Sequence, residues 1–346
     1  MVPATSEIHS YEPRQQERWD RFVEASAEGT FFHLAGWRQV VEESFGHRCH
    51  YLYATRDGEV TGVLPLVHVK SRLFSNALIS NAFCVYGGPL AEDQSTLDAL
   101  DEAAETLGRS LGVQYLEYRM RQACHRDWER NDQLYVTFRK PILPDIEANM
   151  KAIPRKQRAM VRKGIKAGLI DEEDQGVDRF YRIYSESVRN HGTPVYSKGF
   201  FANLKKIFQD SCKITIVRKD TKPLSGVISF RFRNEILPYF GGGTALARKA
   251  AAYDFMYWQV MKRACEAGLE VFDFGRSKRD TGSFAFKRHW GFEPTPLHYE
   301  YRLFGRNDVP DINPLNPRYR MAIALWKRLP LAGANLIGPM VARALG

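Results

Sequence analysis

Asp20-Arg21-Phe22 opens one helical stretch and Asp178-Arg179-Phe180 opens another, and the segments downstream of the two triplets run in the same order. After the first come Gly29-Thr30-Phe31, a helix predicted over 35–44, strands over 49–55 and 60–69, and the turn Arg56-Asp57-Gly58 between them. After the second come Gly192-Thr193-Pro194, a helix over 199–209, strands over 213–218 and 225–232, and a turn over 220–223. Both strand pairs are rich in Val, Ile, Tyr and Phe and are joined by hairpin turn chemistry. Each copy then reaches a glycine cluster, Tyr86-Gly87-Gly88-Pro89 or Tyr239-Phe240-Gly241-Gly242-Gly243-Thr244. Helices over 96–111 and 250–267 come after these clusters, stopped by Gly112 and Gly268 in the C-cap position. Strands over 113–118 and 269–274 come next, with Glu117 and Asp273 at the same place in each.

An order of elements that occurs twice is an internal duplication. The expectation is an α/β (α+β) protein of two tandem domains, 1–140 and 145–304, separated by Pro141 and Pro144. Residues 305–346 then form a proline-containing connector and an amphipathic C-terminal tail. A length of 346 residues with 44% hydrophobic and 26% charged side chains fits two cores and excludes a disordered chain.

Fifty Lys and Arg against forty Asp and Glu give a net charge of +10, which favours an acidic partner. Cys49, Cys84, Cys124, Cys212 and Cys265 form no C-x-x-C pair, which argues for a reducing compartment and against a structural zinc site. His47, Cys49 and His50 lack a second ligand pair, so no metal is expected. The start, 1–17, is polar where an export signal needs an apolar run, and the longest uncharged stretch, 73–91, is too polar to span a bilayer. A cytoplasmic chain is expected. Phosphate-loop, G-x-G-x-x-G and H-E-x-x-H signatures are missing, which removes the common NTPase, dinucleotide and metalloprotease readings.

The second copy carries the candidate chemistry. Asp273-Phe274-Gly275-Arg276-Ser277-Lys278 sets a strand-end acid before a turn with basic residues, and Phe286-Lys287-Arg288-His289-Trp290 lies shortly beyond. Such clusters line clefts, although Lys287 also reads as a solvated charge and Asp273 as a structural partner of Arg276. Glycines 241–243 suit close approach of a substrate, with backbone N–H groups for an anion, or equally a plain turn or bulge. Seven basic residues between Lys151 and Lys166 could face RNA phosphates, or form a solvated helix face balanced by Asp171-Glu172-Glu173-Asp174. The tail mixes Arg318, Arg320, Lys327, Arg328 and Arg343 with Met321, Leu325, Trp326 and Leu336, suited to an anionic membrane surface or to packing on the second domain.

Four stretches carry a family resemblance: 187–195 with Thr193, 237–244 with Tyr239 and the three glycines, 254–258, and 272–278 continuing to Phe286-Lys287 and 290–294. Through them the chain resembles the FemAB-like branch of the GNAT superfamily, and within it the FemAB-related proteins associated with the exosortase and PEP-CTERM system. The resemblance implies two tandem GNAT-like domains. It implies transfer of an aminoacyl or other acyl group from an activated donor, such as aminoacyl-tRNA, to an amine on an anionic envelope precursor of exopolysaccharide or peptidoglycan type, with no cofactor and no DNA. It places Lys287 beside the reacting ester, with Phe286, Tyr239, Gly241, Gly242, Gly243 and Thr193 around the substrate and Arg276 and Lys278 on its phosphates. Asp273 stands as a base or as an orienter of Arg276. The resemblance also implies a peripheral place at the inner membrane. No inserted coiled-coil arm is present, and the pyrophosphate loop of acetyl-CoA enzymes is replaced by Thr244-Ala245-Leu246-Ala247-Arg248, which lowers the weight of coenzyme A. An acyl-CoA-dependent transferase and an idle RNA- or glycan-binding module are the rival readings.

Overall fold

A computed structural model describes residues 6–71, 76–306, 308–309 and 317–344. Up to Gln133 the chain forms strands β1 (Glu7–Ser10), β2 (Arg48–Arg56), β3 (Glu59–Lys70), β4 (Asn76–Ser80), β5 (Leu90–Ala91), β6 (Tyr115–Met120) and β7 (Glu129–Asn131), with helices α1 (Gln16–Ala25), α2 (Gly36–Phe45) and α3 (Gln94–Ser110). From Leu134 it forms β8 (Tyr135–Pro141), α4 (Ile146–Ala152), α5 (Arg155–Lys166), β9 (Ile170–Asp174), α6 (Asp178–His191), α7 (Lys198–Phe208), β10 (Cys212–Lys219), β11 (Lys222–Phe232) and β12 (Glu235–Gly243). The remainder is α8 (Ala252–Glu266), β13 (Val271–Asp273), β14 (Ser277–Lys278), α9 (Gly282–His289), β15 (Pro294–Pro296), β16 (His298–Leu303), α10 (Pro317–Trp326) and α11 (Leu331–Arg343).

The hairpins and capped helices of both copies form where the repeat predicts them. Asp57, Gly58 and Asp220 take positive φ at the two hairpin turns, as do Gly112 and Gly268 just past α3 and α8. The first sheet has the order β1-β2-β3-β4-β6-β16-β7, with β5 on β3; the second has β14-β8-β13-β12-β11-β10-β9, with β15 on β8. In each, one parallel pair stands at the centre, β4 with β6 and β12 with β13.

The last strands are exchanged. β8, which the repeat assigns to the first copy, pairs with β13 of the second (Val271 opposite Pro141, Asp273 opposite Arg139). β16, the corresponding strand of the second copy, pairs with β6 and β7 of the first. The compact units therefore differ from the division 1–140 and 145–304: the first unit ends at Gln133 and takes back the segment from Pro296, and the second begins at Leu134. Two copies of one sheet offer near-equivalent edges, and local patterning does not say which edge a strand joins. Pro141 and Pro144 accordingly lie inside the second unit rather than at its boundary.

The acid run at 171–174 forms β9, an edge strand, and its cross-strand partners explain its composition. Arg218 bonds Glu172 at 3.0 Å and Lys213 pairs with Glu173 at 3.2 Å across the β9–β10 ladder. Arg179 holds Asp174, and Arg263 holds Asp171. These acids do not balance the basic residues of α5.

The first unit has its own buried charge cluster. His125 Nδ1 donates to Glu300 Oε2 at 2.7 Å and Nε2 donates to Asp101 Oδ2 at 2.8 Å, while the ring stacks on Trp128. Burial alone would lower the basicity of the imidazole, but the two carboxylates outweigh it and lift the pKa from 6.5 to about 9. The folded state thus binds this proton more tightly than the unfolded chain. Its contribution to stability is whole below the unfolded value of 6.5 and lost as pH rises through about 9. At about 1.4 kcal/mol per pH unit the span amounts to at most about 3.5 kcal/mol, less what solvent screens. Urea midpoints of wild type and His125→Gln at a series of pH values should converge above pH 9; a gap that stays constant contradicts the cluster.

Candidate active site

β12 and β13 are paired over two positions only, Glu235 with Val271 and Ile236 with Phe272. Beyond them the strands part, because β12 carries a bulge: the register on β11 passes from Ile228–Phe240 to Ser229–Pro238 and skips Tyr239. A bulge bends its strand and breaks the ladder, and Pro238 has no N–H to restore it. Across the opening, the chain after Asp273 turns at Gly275, whose φ of +64° requires glycine. A Cβ at Gly275 would stand 3.7 Å from the ring of Tyr239, so turn and bulge face each other closely.

Lys287 reaches this turn from α9. Its Nζ donates to the carbonyls of Gly275 and Arg276, both at 2.9 Å, and only 8% of the residue is exposed. The amine lies 5.5 Å from the ring centre of Phe138 and 5.9 Å from that of Phe274. Burial disfavours the ammonium and brings the pKa from 10.5 down to about 7, with Asp273 pulling it back up and Arg276 adding to the depression. As an ammonium, the group has two protons committed to carbonyls and one N–H left for another acceptor.

Asp273 is 1% exposed. Its Oδ1 accepts from the Gly275 amide at 2.7 Å and from Thr137 Oγ1 at 3.4 Å, and Oδ2 faces Arg139 at 3.7 Å. Arg139 also bonds Glu235. Arg276 and Lys278 both lie over the ring of Tyr135, at 4.5 and 5.3 Å. Thr137, Arg139 and Tyr135 all come from the exchanged strand β8, and sequence reasoning misses them because the repeat assigns that strand to the first copy.

Behind Lys287, Trp290 Nε1 donates to Asp254 Oδ1 at 3.0 Å, and Gln157 of α5 donates to the same oxygen. Burial raises the Asp254 pKa, against the pull of these two bonds. This clamp joins α5, α8 and α9 and fixes the end of the helix that presents the amine. Phe286 packs on Tyr257, Phe274 and Trp290, seating α9 on the core.

Glycines 241–243 lie in β12, paired with Val227, Gly226 and Ser225. Their missing side chains make room for the protein itself: a Cβ would meet Tyr257 Oη at 2.6 Å, Tyr184 Cα at 3.0 Å and Tyr253 Cζ at 2.6 Å. The open turn expected there is instead a strand crowded by α6 and α8. Thr193 is exposed just beyond α6, its amide donating to the Val188 carbonyl at 2.9 Å. Of the predicted residues, the structure brings Lys287, Asp273, Arg276, Lys278, Tyr239 and Phe286 together.

One face of α5 is cationic. Arg155, Arg158, Arg162, Lys163 and Lys166 recur at helical spacing and line a groove of about 460 Å³. Arg155, Lys156, Arg162, Lys163 and Lys166 have no ion pair among the described residues. The opposite face packs on α8, with Gly164 against Phe255. A smaller cavity of about 70 Å³ in the first unit is lined by Thr30, His33, Tyr86, Gly88 and Arg119. Lys287 lines neither hollow, and its site is assigned on chemistry rather than on volume.

The two sheets, each with a central parallel pair, define a mixed α/β protein of two tandem GNAT-like domains. Residues 148–288 match the family described as acetyltransferase (GNAT) domain. Among solved structures, FemX matches with a TM-score of 0.69 at 15% identity, covering 92% of this chain and 100% of its own. A tandem GNAT protein from the clavulanic acid biosynthesis pathway matches with a TM-score of 0.57 at 11% identity, over 88% of this chain and 100% of its own. The C-terminal domain of a putative lysylphosphatidylglycerol synthetase from Agrobacterium fabrum matches with a TM-score of 0.55 at 14% identity, over 83% and 91%. A comparison with curated proteins finds no match. At these identities the likeness is one of fold.

The surroundings of Lys287 predict its titration. Its ¹³Cε resonance should shift with a midpoint near pH 7. Asp273→Asn, which removes the stabilising anion, should lower that midpoint, and Arg276→Ala should raise it. A midpoint near 10.5 in the wild type would contradict the geometry.

Proposed function

We propose that the chain is an N-acyl or aminoacyl transferase that forms an amide bond on an anionic cell-envelope precursor of exopolysaccharide or peptidoglycan type. The observation that carries this reading is the buried amine of Lys287, held by two carbonyls at the turn after β13 with one N–H to spare. Attack of an acceptor amine on the donor carbonyl forms a C–N bond and pushes charge onto the carbonyl oxygen. The remaining N–H of Lys287 stabilises that oxygen. Collapse breaks the donor C–O ester bond, and the proton released by the attacking nitrogen leaves with the departing hydroxyl. Asp273 is a positioning residue here: it holds the Gly275 amide and favours the charged form of Lys287 against its burial. Arg276 and Lys278, stacked on Tyr135, supply the cations for substrate phosphates, and Tyr239 at the bulge borders the acceptor side. The reaction belongs at the cytoplasmic face of the inner membrane, in keeping with the resemblance to exosortase-associated proteins.

An RNA-linked donor such as aminoacyl-tRNA is favoured by the unpaired cations of α5, a helix tied to α9 through Gln157, Asp254 and Trp290. The rival reading, an acyl-CoA donor, is favoured by the match of 148–288 to an acetyltransferase domain. Thermal shift separates them: stabilisation by aminoacyl-tRNA and not by acetyl-CoA is expected.

Loss of one oxyanion donor lowers kcat by about 100-fold or more. In cells lacking the wild-type protein, Lys287→Met should fail to restore an amide-linked residue detectable by mass spectrometry of the envelope polysaccharide and its precursors. Full restoration overturns the catalytic assignment. Arg162→Glu/Lys163→Glu should weaken tRNA binding at least about tenfold and flatten its salt dependence by about two ions, with Lys287→Met binding as wild type. Unchanged tRNA binding in the α5 variant removes that helix from the donor site.

A further inference from the structure

Five of the nine large apolar side chains left exposed among the described residues lie on the last two helices: Met321, Leu325, Leu336, Ile337 and Met340. Both helices are moored on one side only. Ile323 of α10 and Lys327 just beyond it pack at the end of α6, where a Cβ on Gly192 would come within 2.5 Å of Ile323, and Arg189 donates to the Lys327 carbonyl at 3.3 Å. On α11, Ala334, Gly338 and Ala342 are buried at intervals of one turn, and a Cβ on Gly338 would stand 3.0 Å from the backbone of Val195.

Helical geometry then puts the large side chains on the outside. At 3.6 residues per turn, Leu336 and Met340 stand diametrically opposite the small-residue stripe and are 78% and 73% exposed. On α10, Met321 and Leu325 share the side turned away from Ile323, and Arg328 is exposed in the turn that follows the helix. Residues 312–346 hold five Lys and Arg and no Asp or Glu. No helix among the described residues is long and apolar enough to cross a membrane, so a bilayer would meet these two helices at its surface.

A second copy of the chain would set Arg328 and its neighbours against like charge with no acid to answer them. An anionic bilayer offers both what the cations need and a hydrocarbon layer for Leu and Met. We propose that the outer face of α10 and α11 binds the surface of an anionic phospholipid bilayer. Met321, Leu325, Leu336 and Met340 enter the boundary between headgroups and acyl chains, and Arg328 lies among the headgroups.

Vesicle flotation tests this on the full chain, with vesicles of about one-third phosphatidylglycerol in phosphatidylcholine compared with phosphatidylcholine alone. The wild type should float with the anionic vesicles at least about tenfold better than with the neutral ones. Leu336→Glu/Met340→Glu and Met321→Glu/Leu325→Glu, both at exposed positions, should lose most of that binding with an unchanged melting temperature. Arg162→Glu/Lys163→Glu should float as the wild type does. Absence of flotation by the wild type overturns the proposal, as do apolar-face variants that float normally or loss of flotation in the α5 variant alone. A concentration-dependent dimer in sedimentation, abolished by Leu336→Glu/Met340→Glu and unaccompanied by flotation, assigns the face to a second copy and also overturns it.

Discussion

A lysine amine taken almost wholly out of water must be answered by oxygen, and Lys287 is answered by the carbonyls of Gly275 and Arg276. The arrangement is reciprocal. Lys287 holds the carbonyls of the turn, while Asp273 holds the amide of Gly275 from the other side. The turn therefore keeps its left-handed glycine, opposite the ring of Tyr239. Behind the amine, Trp290 and Gln157 converge on Asp254 and leave α9 little freedom to shift. A catalytic group is effective only when its supporting bonds leave it one place to be.

Much of that support arrives on β8. Tyr135, Thr137, Phe138 and Arg139 all touch the Lys287 cluster, directly or through Asp273, Arg276 and Lys278, and all precede the second copy of the repeat. Asp273 would lack Thr137 and Arg139 if each copy kept its own last strand. The exchange of β8 and β16 thus makes each sheet depend on chain from the other copy.

Charge is distributed with the same economy. The acids at 171–174 are consumed by Arg179, Lys213, Arg218 and Arg263 within the sheet and its flanking helices. Arg155, Lys156, Arg162, Lys163 and Lys166 of α5 are left without an ion pair among the described residues. An excess of basic residues becomes a recognition surface only where the fold withholds counter-charges.

The chain alone determined a great deal: the duplication, the hairpins with Asp57-Gly58 and Asp220 at their turns, the helix ends at Gly112 and Gly268, and the cluster from Asp273 to Lys287. These rest on local periodicity and on residues with restricted backbone preferences, which act over a few positions and can be read there. Three matters lay beyond it. Which sheet β8 and β16 join, which partner answers each charge on β9, and whether Gly241–Gly243 admit a substrate or their own neighbouring tyrosines were all decided by packing. Each depends on residues distant in sequence competing for one place, and only the folded chain shows which of them occupies it.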